Sequence, residues 1–490
     1  MPGASTTADT LASPSPSPSP SPSPSRPWLG AALAVAAVAA CWLGAMLYWR
    51  AAGTTPSAMA MAQWLVALPA GVLLSLWMGK SALSRAETAA APTRPAAAAT
   101  AGATAAEARK LLPAIAAAAV RMRGGESVAE LAEALRTDAA PCALDPQLVD
   151  DAGYPVLSGR AACADPGAAR EAMAPWLAQR GMAELEFSEE GWRALSMAAA
   201  VAVELAQHAL MHRGLQAWVP EYLAATKDER TDHPLPMLQL LALLPDNWHA
   251  GQRQAAADWL LHLVAQQGWP VERLSLSSGF TAGPGAGFAL LDTLALASGL
   301  TLLLACASSI GDDSVRELGQ RGLLFSGKTG RGQVPGEGAC ALLLLDGEQA
   351  KRLATGTLVV IDGASSGRRP SSADYGGSIG SSLLAGLVTE ALGEADVGAA
   401  GIAAICADAD FRPNRTGEVM SMGSSVFPDL SLEAAMLCAG AGGGTTGAAG
   451  TLAALALAAH EALACSFAAV CVSNSDSHYR CALLVRPAEP

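Results

Sequence analysis

The stretch LSLSSGFTAGPGAGFALLDTLALASGLTLLLACASS, residues 274–309, decides the fold. Its first residues alternate Leu with Ser as in a short strand, and four glycines with one proline then force a sharp turn. The segment after the turn is apolar on nearly every side, which is typical of a buried helix. A glycine ends this helix and an apolar run of strand length follows. The predicted elements are, in order, a strand, a turn, a helix and a strand over Leu274–Ser277, Gly279–Gly287, Phe288–Ser298 and Leu300–Cys306.

The tip of this turn is where a reactive residue is expected. A turn of this kind lifts its tip to the N-terminus of a buried helix, where the helix dipole favours an anion, so thiol and hydroxyl nucleophiles often lie there. Here the tip carries Thr281, Ala282, Gly283, Pro284 and Gly285, with no Cys or Ser among them. The sequence therefore predicts an active-site architecture without the reactive atom.

Composition excludes several classes of function. The chain has 490 residues and a net charge of −13 with 15% charged residues, which argues against nucleic acid as a partner. Its ten cysteines are scattered without a CxxC pair and predict buried free thiols. His208 and His212 lack the Glu of an HExxH motif and are expected on a helix face. The GPGAG turn lacks GxGxxG spacing. We expect no metal and no cofactor.

The amino-terminal part divides into three segments before one large domain. Residues 1–27 form a disordered Ser/Pro-rich tail. Residues 28–78 contain two uncharged apolar segments, Trp28–Trp49 and Ala58–Met78. Each is long enough to span a bilayer, and tryptophans lie near their ends. We therefore predict a transmembrane helical hairpin there, then an Ala/Thr/Pro-rich linker over 79–108 and an α/β domain over 109–490.

Basic residues around the hairpin predict its orientation. Lys80, Arg85 and Arg94 follow the second span and Arg26 precedes the first, whereas the connecting loop offers only Arg50. The positive-inside rule then places both ends, and the large domain, in the cytoplasm, on a multi-pass protein of the inner (cytoplasmic) membrane. Two later apolar stretches, 289–307 and 451–472, contain polar residues and fit better as helix and strand of a soluble core.

An internal echo predicts a duplicated fold. A Gly-rich turn, a small-residue helix, a strand, a loop and a second strand occur in that order at 283–345 and again at 442–485. Two like halves, each with an apolar helix, imply an α/β fold with central helices between two sheets. Further predicted strands are Ile115–Arg121, Leu358–Asp362 and Gly401–Cys406. Further predicted helices are Ser127–Leu135, with a Ser127/Glu130 capping box, Trp192–Leu210, Trp248–Gln267 and Gly380–Leu392.

Five segments in this order resemble the β-ketoacyl synthase branch of the thiolase superfamily, over roughly 111–490. They are AAAAVRMRGGESVAELAEAL (116–135), QVPGEGACALLLL (333–345), RRPSSADYGGSIGSSLLAGLVTEAL (368–392), GAAG (447–450) and VSNSDSHYRCALLV (472–485). The resemblance implies a thiolase-like, pseudo-duplicated, layered α-β-α-β-α fold. It also implies a two-fold homodimer, and the uncharged strand Leu274–Ser277 has no Pro or charge to blunt an exposed edge.

The chemistry implied by the resemblance is decarboxylative condensation on an acyl-cysteine, which needs a Cys and two His. Carried over residue by residue, the Cys position falls on Gly283 or its neighbour Ala282. The first His pattern falls on Ala407–Asp410, with Asp408 as its vestigial position, and the second His falls on Gly444. The resemblance therefore implies a site that has lost its triad.

Two functions remain open at this point. One is a membrane-anchored, catalytically inactive scaffold or binding module with protein partners in an envelope or secretion assembly. The other is an acyltransferase or ketosynthase that acts on acyl thioesters or an acyl carrier protein through a non-standard nucleophile, Cys306 or Thr281. The missing triad favours the first, because a nucleophile without an adjacent base is weak. Cys306 is expected to pack in the core, and Asp408, Asp410 and Asn414 are expected in a solvated loop rather than a calcium site.

Overall fold

Helices and strands alternate along most of the chain that the computed structural model describes, residues 112–277, 293–327, 329–353, 358–374 and 380–488. The strands are β1 (Ala114–Met122), β2 (Ala143–Val149), β3 (Pro155–Ser158), β4 (Leu238–Leu243), β5 (Leu274–Ser277), β6 (Leu300–Ser308), β7 (Glu337–Leu345), β8 (Val359–Arg368), β9 (Ile402–Asp410), β10 (Met436–Cys438), β11 (Ala468–Ser473) and β12 (Tyr479–Pro487). The helices are α1 (Val128–Thr137), α2 (Pro166–Gln179), α3 (Glu189–Met211), α4 (Trp218–Ala224), α5 (Ala250–Gln266), α6 (Asp312–Gln320), α7 (Gly347–Arg352), α8 (Ser382–Ala395), α9 (Pro413–Val426), α10 (Leu432–Ala435), α11 (Ala439–Gly443) and α12 (Ala448–Cys465).

The large sheet contains the same five-stranded arrangement twice. The strand order is β5-β4-β6-β7-β1 in the first half and β10-β9-β11-β12-β8 in the second. In the first half β4 runs parallel to β5 and β6, and β7 runs antiparallel to β6 and β1. In the second half β9 runs parallel to β10 and β11, and β12 runs antiparallel to β11 and β8. Within the described part of the large sheet, two residue pairs between β1 and β8 join the halves. The mixed α/β fold is confirmed, and the repeated strand order agrees with the predicted duplication, but the two halves form one continuous ten-stranded sheet where two sheets were predicted. A separate hairpin of β2 and β3, which the sequence did not reveal, projects from the first half.

Five layers follow from how the faces are covered. Helix α12 lies in one apolar cluster with the inner faces of both halves, and Leu303, Leu342, Cys471 and Leu483 are members of it. Helices α2, α3 and α5 cover the outer face of the first half, and α8 and α9 cover that of the second. The layers are therefore helix, sheet, helix, sheet and helix, as the resemblance implies.

Two helices within the described residues, α3 and α12, are long and apolar enough to cross a membrane. Half of the α3 window and 78% of the α12 window are buried inside the protein, so both fit as core helices. This agrees with the prediction that the stretch 451–472 belongs to a soluble core. The predicted tail, transmembrane hairpin and linker lie outside the described residues.

The strands and caps nearest the deciding stretch agree with the sequence. Strand β5 has the predicted bounds, and β6 extends the predicted strand to Ser308. The Ser127 hydroxyl accepts a hydrogen bond from the Glu130 backbone N–H at 3.2 Å and begins α1, as predicted. The turn with Thr281 and Gly283, and most of the helix predicted after it, lie outside the described residues.

One boundary was wrong in an informative way. Strand β9 runs four residues beyond the predicted Cys406, so Asp408 and Asp410 belong to it and are 3% and 1% exposed. The prediction of a solvated loop is therefore incorrect for both. Buried charges need compensation, and the groups that provide it define the candidate site.

Candidate functional site

Asp408, which the resemblance places at a catalytic histidine position, anchors two elements of the second half. Strands β9 and β11 are parallel neighbours, so their carboxyl ends lie side by side. The Asp408 carboxylate accepts hydrogen bonds from the hydroxyls of Thr451 (2.8 Å), Ser473 (2.5 Å) and Ser475 (3.0 Å) and from the backbone N–H of Asn474 (2.7 Å) and Ser475 (3.0 Å). These five bonds turn its oxygens toward α12 and the end of β11. At this position the side chain joins elements together.

Asp410 lies on the same face of β9, two residues on. Its carboxylate accepts from Arg412 Nε at 2.8 and 3.0 Å and from the Thr445 hydroxyl at 3.0 Å. Arg412 reaches on to Asp374 at 2.9 Å and to the Ser475 carbonyl at 2.6 Å. The predicted absence of a calcium loop fits these bonds, since both carboxylates face N–H and O–H donors.

Four buried or partly buried arginines, which we call the arginine cluster, surround this region: Arg369, Arg412, Arg415 and Arg480. Glu418 pairs with Arg480 Nε at 3.0 and 2.9 Å and with Arg369 Nη1 at 3.1 Å. Asp374 accepts from Arg415 Nη2 at 2.6 Å as well as from Arg412. Buried ion pairs of this kind fix geometry more than they add stability. The arginine cluster and its acidic partners together occupy the region at the carboxyl end of the second half.

Gly444, which the resemblance places at the second histidine position, has no room for a side chain. Its φ is +71°, and a Cβ there would lie 2.9 Å from the carbonyl oxygens of Val334 and Pro335. A Cβ on Gly159 or Gly336 would overlap the Gly443 carbonyl. We call this backbone-to-backbone contact of Gly159, Gly336, Gly443 and Gly444 the glycine seam. A histidine at position 444 would require the seam to open.

The carboxyl end of the first half holds a simpler buried pair. Glu337 begins β7 with no exposed surface. Its carboxylate accepts from Arg193 at 2.8 and 2.5 Å, from the Ala161 backbone N–H at 2.8 Å and from the Ser308 hydroxyl at 2.9 Å. The sequence drew attention to Glu337 through its Gly-Glu-Gly-Ala motif but gave no sign of Arg193, which lies 144 positions earlier.

A small cavity lies between the two carboxyl ends. The described residues around it, among them Ser309, Gln333, Pro335 and Thr445, enclose about 200 Å³. Pockets that hold drug-sized ligands usually measure roughly 300–1,000 Å³. The described part of this cavity is therefore small for an acyl chain.

Cys306, one of the two alternative nucleophiles, is unsuited to that role. It is fully buried in β6, and burial raises the pKa of its thiol to about 12. Because the thiolate is the reactive form, a thiol of this kind is inert near neutral pH. Its predicted place in the core is confirmed. Thr281, the other alternative, lies outside the described residues together with Gly283.

The remaining candidates have structural roles. His208 is exposed on α3 and His212 follows the end of that helix. Among the described residues no group of three His, Cys, Asp or Glu side chains could hold a metal ion. Asp312 and Asp313 lie in the first turn of α6, where acidic side chains are favoured. Glu190 of α3 caps the start of that helix, since it accepts hydrogen bonds from the Ser314 backbone N–H at 3.4 Å and from the Ser314 hydroxyl at 2.7 Å.

Comparison with known proteins gives likeness in shape only. No protein-family model matches the chain, and no curated protein matches it. Among solved structures it is similar to an oxazolomycin ketosynthase domain of Streptomyces albus JA3453, at 13% identity and a TM-score of 0.49, covering 77% of this chain and 76% of that one. It is similar to the ketosynthase from module 6 of the bacillaene synthase of Bacillus subtilis 168, at 13% identity and a TM-score of 0.49, covering 77% and 72%. The ishigamide ketosynthase/chain length factor gives 15% identity and a TM-score of 0.46, covering 77% and 100%.

Proposed function

We propose that this chain is a membrane-anchored, catalytically inactive ketosynthase-like protein that acts as a scaffold or binding module in an envelope or secretion assembly. The observation that carries the proposal is how Asp408 and Gly444, the two described positions where the resemblance places histidines, contact their neighbours. Asp408 binds five neighbouring donors, and Gly444 is held against a neighbouring backbone. Neither position supplies a base or an oxyanion donor for condensation.

An acylation experiment tests this proposal. The full chain in detergent is incubated with acetyl and malonyl thioesters, and intact mass and released carbon dioxide are measured. We expect no acyl adduct and no decarboxylation. A stoichiometric adduct that disappears in Cys306→Ala or Thr281→Ala would establish the enzyme reading instead. Retention of such an adduct in both variants would also contradict inactivity and would direct the search to another nucleophile.

The anchoring part of the proposal rests on the two uncharged segments and the basic residues around them. Reporter fusions after Lys80 and within 54–57 test it. Alkaline phosphatase, which is active only outside the cytoplasm, should be active in the second fusion and inactive in the first. Activity after Lys80 would contradict a cytoplasmic domain.

A homodimer through β5 is the third part of the proposal. β5 is the outermost strand of the first half and pairs only with β4 among the described strands. The long helix α3 packs on β6, β7 and β1, while the neighbouring helix α5 packs on β5. Val271, just before β5, is 71% exposed. An open strand edge with adjoining apolar surface favours pairing with a second copy.

Light scattering on the full chain in detergent tests this pairing. We expect a dimer mass for the unaltered protein and a monomer mass for Leu276→Lys, which places a charge on the edge. Leu144→Lys is the matched control, because Leu144 is 67% exposed on the separate hairpin. A monomer mass for the unaltered chain, or an unchanged dimer in Leu276→Lys, would contradict the pairing.

A further inference from the structure

Exposed apolar side chains gather at the end of the first half where its parallel strands begin. The strand register places Leu238, Leu274 and Leu300, the first residues of β4, β5 and β6, in one row with Leu345 and Ala114. Neighbouring strands lie about 4.8 Å apart, so the loops that lead into β4, β5 and β6 are also neighbours. We call this end of the first half, with those loops, the entry face.

Three adjacent strands are each preceded by an exposed apolar residue. Val271 lies just before β5, Met237 directly before β4 and Leu296 shortly before β6. The Met237 carbonyl accepts a hydrogen bond from the Leu300 N–H at 3.2 Å, which joins two of these loops. The three apolar side chains therefore belong to one continuous region.

Helix α3 ends at the entry face. Its first turns lie at the opposite end of the sheet, where Arg193 pairs with Glu337, and its 23 residues span roughly 35 Å. Just past the helix, a Cβ on Gly214 would lie 2.6 Å from a side-chain carbon of Leu353, the residue after α7. Because α7 follows β7 at this end of the sheet, the exposed Met211 that ends α3 belongs to the entry face.

Helix α4 lies on the same face. The ring of Tyr222 packs against two guanidinium groups, with Arg230 at 5.1 Å and Arg273 at 5.0 Å from its centroid. Arg273 directly precedes β5 and donates to the Arg230 carbonyl at 2.7 Å. These contacts hold α4 beside the loops that lead into β4 and β5, and Leu223, next to Tyr222 on α4, is exposed there.

This concentration of apolar surface indicates a contact. Five of the eleven exposed large apolar side chains among the described residues lie on the entry face: Met211, Leu223, Met237, Val271 and Leu296. Single exposed apolar residues are ordinary, whereas several together mark a protein or membrane contact. The described chain also begins at this face, since Leu112 lies two residues before β1. The predicted hairpin and linker precede Leu112, so the apolar face is the one joined in sequence to the proposed anchor.

Charges on the entry face are balanced. The described segments that form it, 211–237, 271–273, 293–299 and 346–352, contain six Lys or Arg and seven Asp or Glu. Some of these pair with one another, as Arg352 does with Glu348 at 3.6 Å. In a chain of net charge −13, this face would be neither strongly attracted nor strongly repelled by anionic headgroups. Contact with a bilayer would therefore depend on apolar burial.

We propose that the entry face rests on the lipid bilayer, with Met211, Leu223 and Leu296 buried at the boundary between headgroups and acyl chains. This inference rests on the proposed anchoring and adds which face of the domain meets the membrane. Apolar side chains in contacts of this kind lie about 5–10 Å into that boundary. The carboxyl end of the first half, roughly one α3 length away, would then face away from the membrane, where the partners of a scaffold could reach it.

Hydroxyl-radical footprinting of the unaltered full chain in phosphatidylcholine vesicles tests the proposal. Met211 is 69% exposed and Met420, on the second half, is 48% exposed, so a domain free of the bilayer should oxidise faster at Met211. With the entry face on the bilayer the order reverses, and we expect Met211 to be oxidised at least about threefold more slowly than Met420. Vesicles that contain phosphatidylglycerol should give the same order, because apolar burial makes the contact.

Charged substitutions supply the matched variants. Leu223→Asp combined with Leu296→Asp places carboxylates on the entry face and should restore fast oxidation of Met211. Leu144→Asp, on the exposed separate hairpin, should leave that oxidation slow. Continued slow oxidation of Met211 in the double variant would overturn the proposal.

A second copy of the chain is the alternative cover for Met211. Protection that is lost in Leu276→Lys, the variant that should separate the dimer, would assign the cover to that copy and overturn the membrane contact. Faster oxidation of Met211 than of Met420 in the unaltered chain would overturn it as well. Flotation with the vesicles separates this failure from failure of the anchor. A chain that floats with Met211 open to radicals keeps the anchor and loses this inference, whereas a chain that does not float contradicts both.

Discussion

The two halves share one strand order, but the buried charge near the start of the last strand is negative in the first half and positive in the second. In the first half an acid begins the fifth strand, Glu337, and pairs with Arg193 of α3. In the second half an arginine near the start of the fifth strand, Arg480, pairs with Glu418 of α9. The first arrangement is a single pair with hydroxyl and N–H support, whereas the second extends over four arginines. Backbone topology therefore sets where polar groups converge, while individual residues set their sign and number.

The glycine seam is where the two ends meet, and breaking it should have the largest effect. In Gly336→Ala the new Cβ would overlap the Gly443 carbonyl. Rigid backbone cannot yield as a side chain does, so we expect a loss of about 4 kcal/mol or more in the free energy of unfolding. Urea unfolding of the full chain followed by tryptophan fluorescence measures it.

Gly386→Ala is the matched control for that variant. Gly386 lies in the exposed part of α8 and has no atom within 4 Å of an added Cβ. Alanine there should leave stability unchanged or raise it by about 0.5–1 kcal/mol. Similar stability of Gly336→Ala and the unaltered chain would show that the seam is loose and that position 444 is open to side chains.

Removing one acid from each half sharpens the comparison between them. Glu337→Ala leaves Arg193 buried without its carboxylate, and Glu418→Ala leaves both Arg369 and Arg480 in that state. Each should cost roughly 3–5 kcal/mol, with the greater loss for Glu418 because two cations depend on it. Urea midpoints give the ranking, and the exposed Glu317→Ala, which breaks a surface pair with Arg321, should have no measurable effect. A greater loss for Glu337→Ala would reverse our view of the two ends.

Acid titration should reveal two smaller effects of opposite sign within the first half. Burial raises the pKa of Glu190 above its ordinary 4.5, so the folded chain binds this proton more tightly. Stability from this group is then full below pH 4.5 and falls as pH rises through the folded pKa. Burial alone would raise the pKa of Asp145, but hydrogen bonds from Arg160, Gln147 and Ser158 hold it below 3.8. Its contribution is present above that value and is lost on acidification.

Unfolding midpoints as a function of pH measure both effects. Glu190→Gln should flatten the decline above pH 4.5, and Asp145→Asn should remove part of the loss below pH 3.8. If Glu190→Gln leaves the pH profile unchanged, Glu190 caps α6 without a shifted proton affinity.

Apolar pattern was enough to predict much of the fold. β5, β6 and α12 are continuous segments whose burial depends on their own residues, and their order predicted the duplication. The cap at Ser127 depends on a residue only three positions away, so the sequence predicted it equally well. By contrast, the charges of Asp408 and Asp410 wrongly predicted a loop, because charge usually ends a strand. The alternation with Ala407 and Ala409 was the available sign that the strand continues.

The remainder of the site depends on contacts between distant parts of the chain. Arg480 reaches Glu418 across 62 positions and Arg193 reaches Glu337 across 144. A hydropathy pattern in a short stretch of sequence cannot show pairs between residues that are so far apart in the chain. The resemblance predicted a histidine position at Gly444, but the reason that glycine fits there lies in Gly159 and Gly336, which only the folded backbone brings into contact.

The glycine seam also limits which side chains could be introduced at position 444 by design. Installing a histidine at 444 would first require the 334–336 backbone to move away, and that movement would disturb Thr445, whose N–H binds the Val334 carbonyl at 2.9 Å. Thr445 in turn binds Asp410, so the second half would have to be rebuilt in the same step. A single Gly444→His substitution would therefore press its Cβ against the carbonyl oxygens of Val334 and Pro335, 2.9 Å away. A design campaign would therefore have to replace the seam and the β9 acids together, as one block.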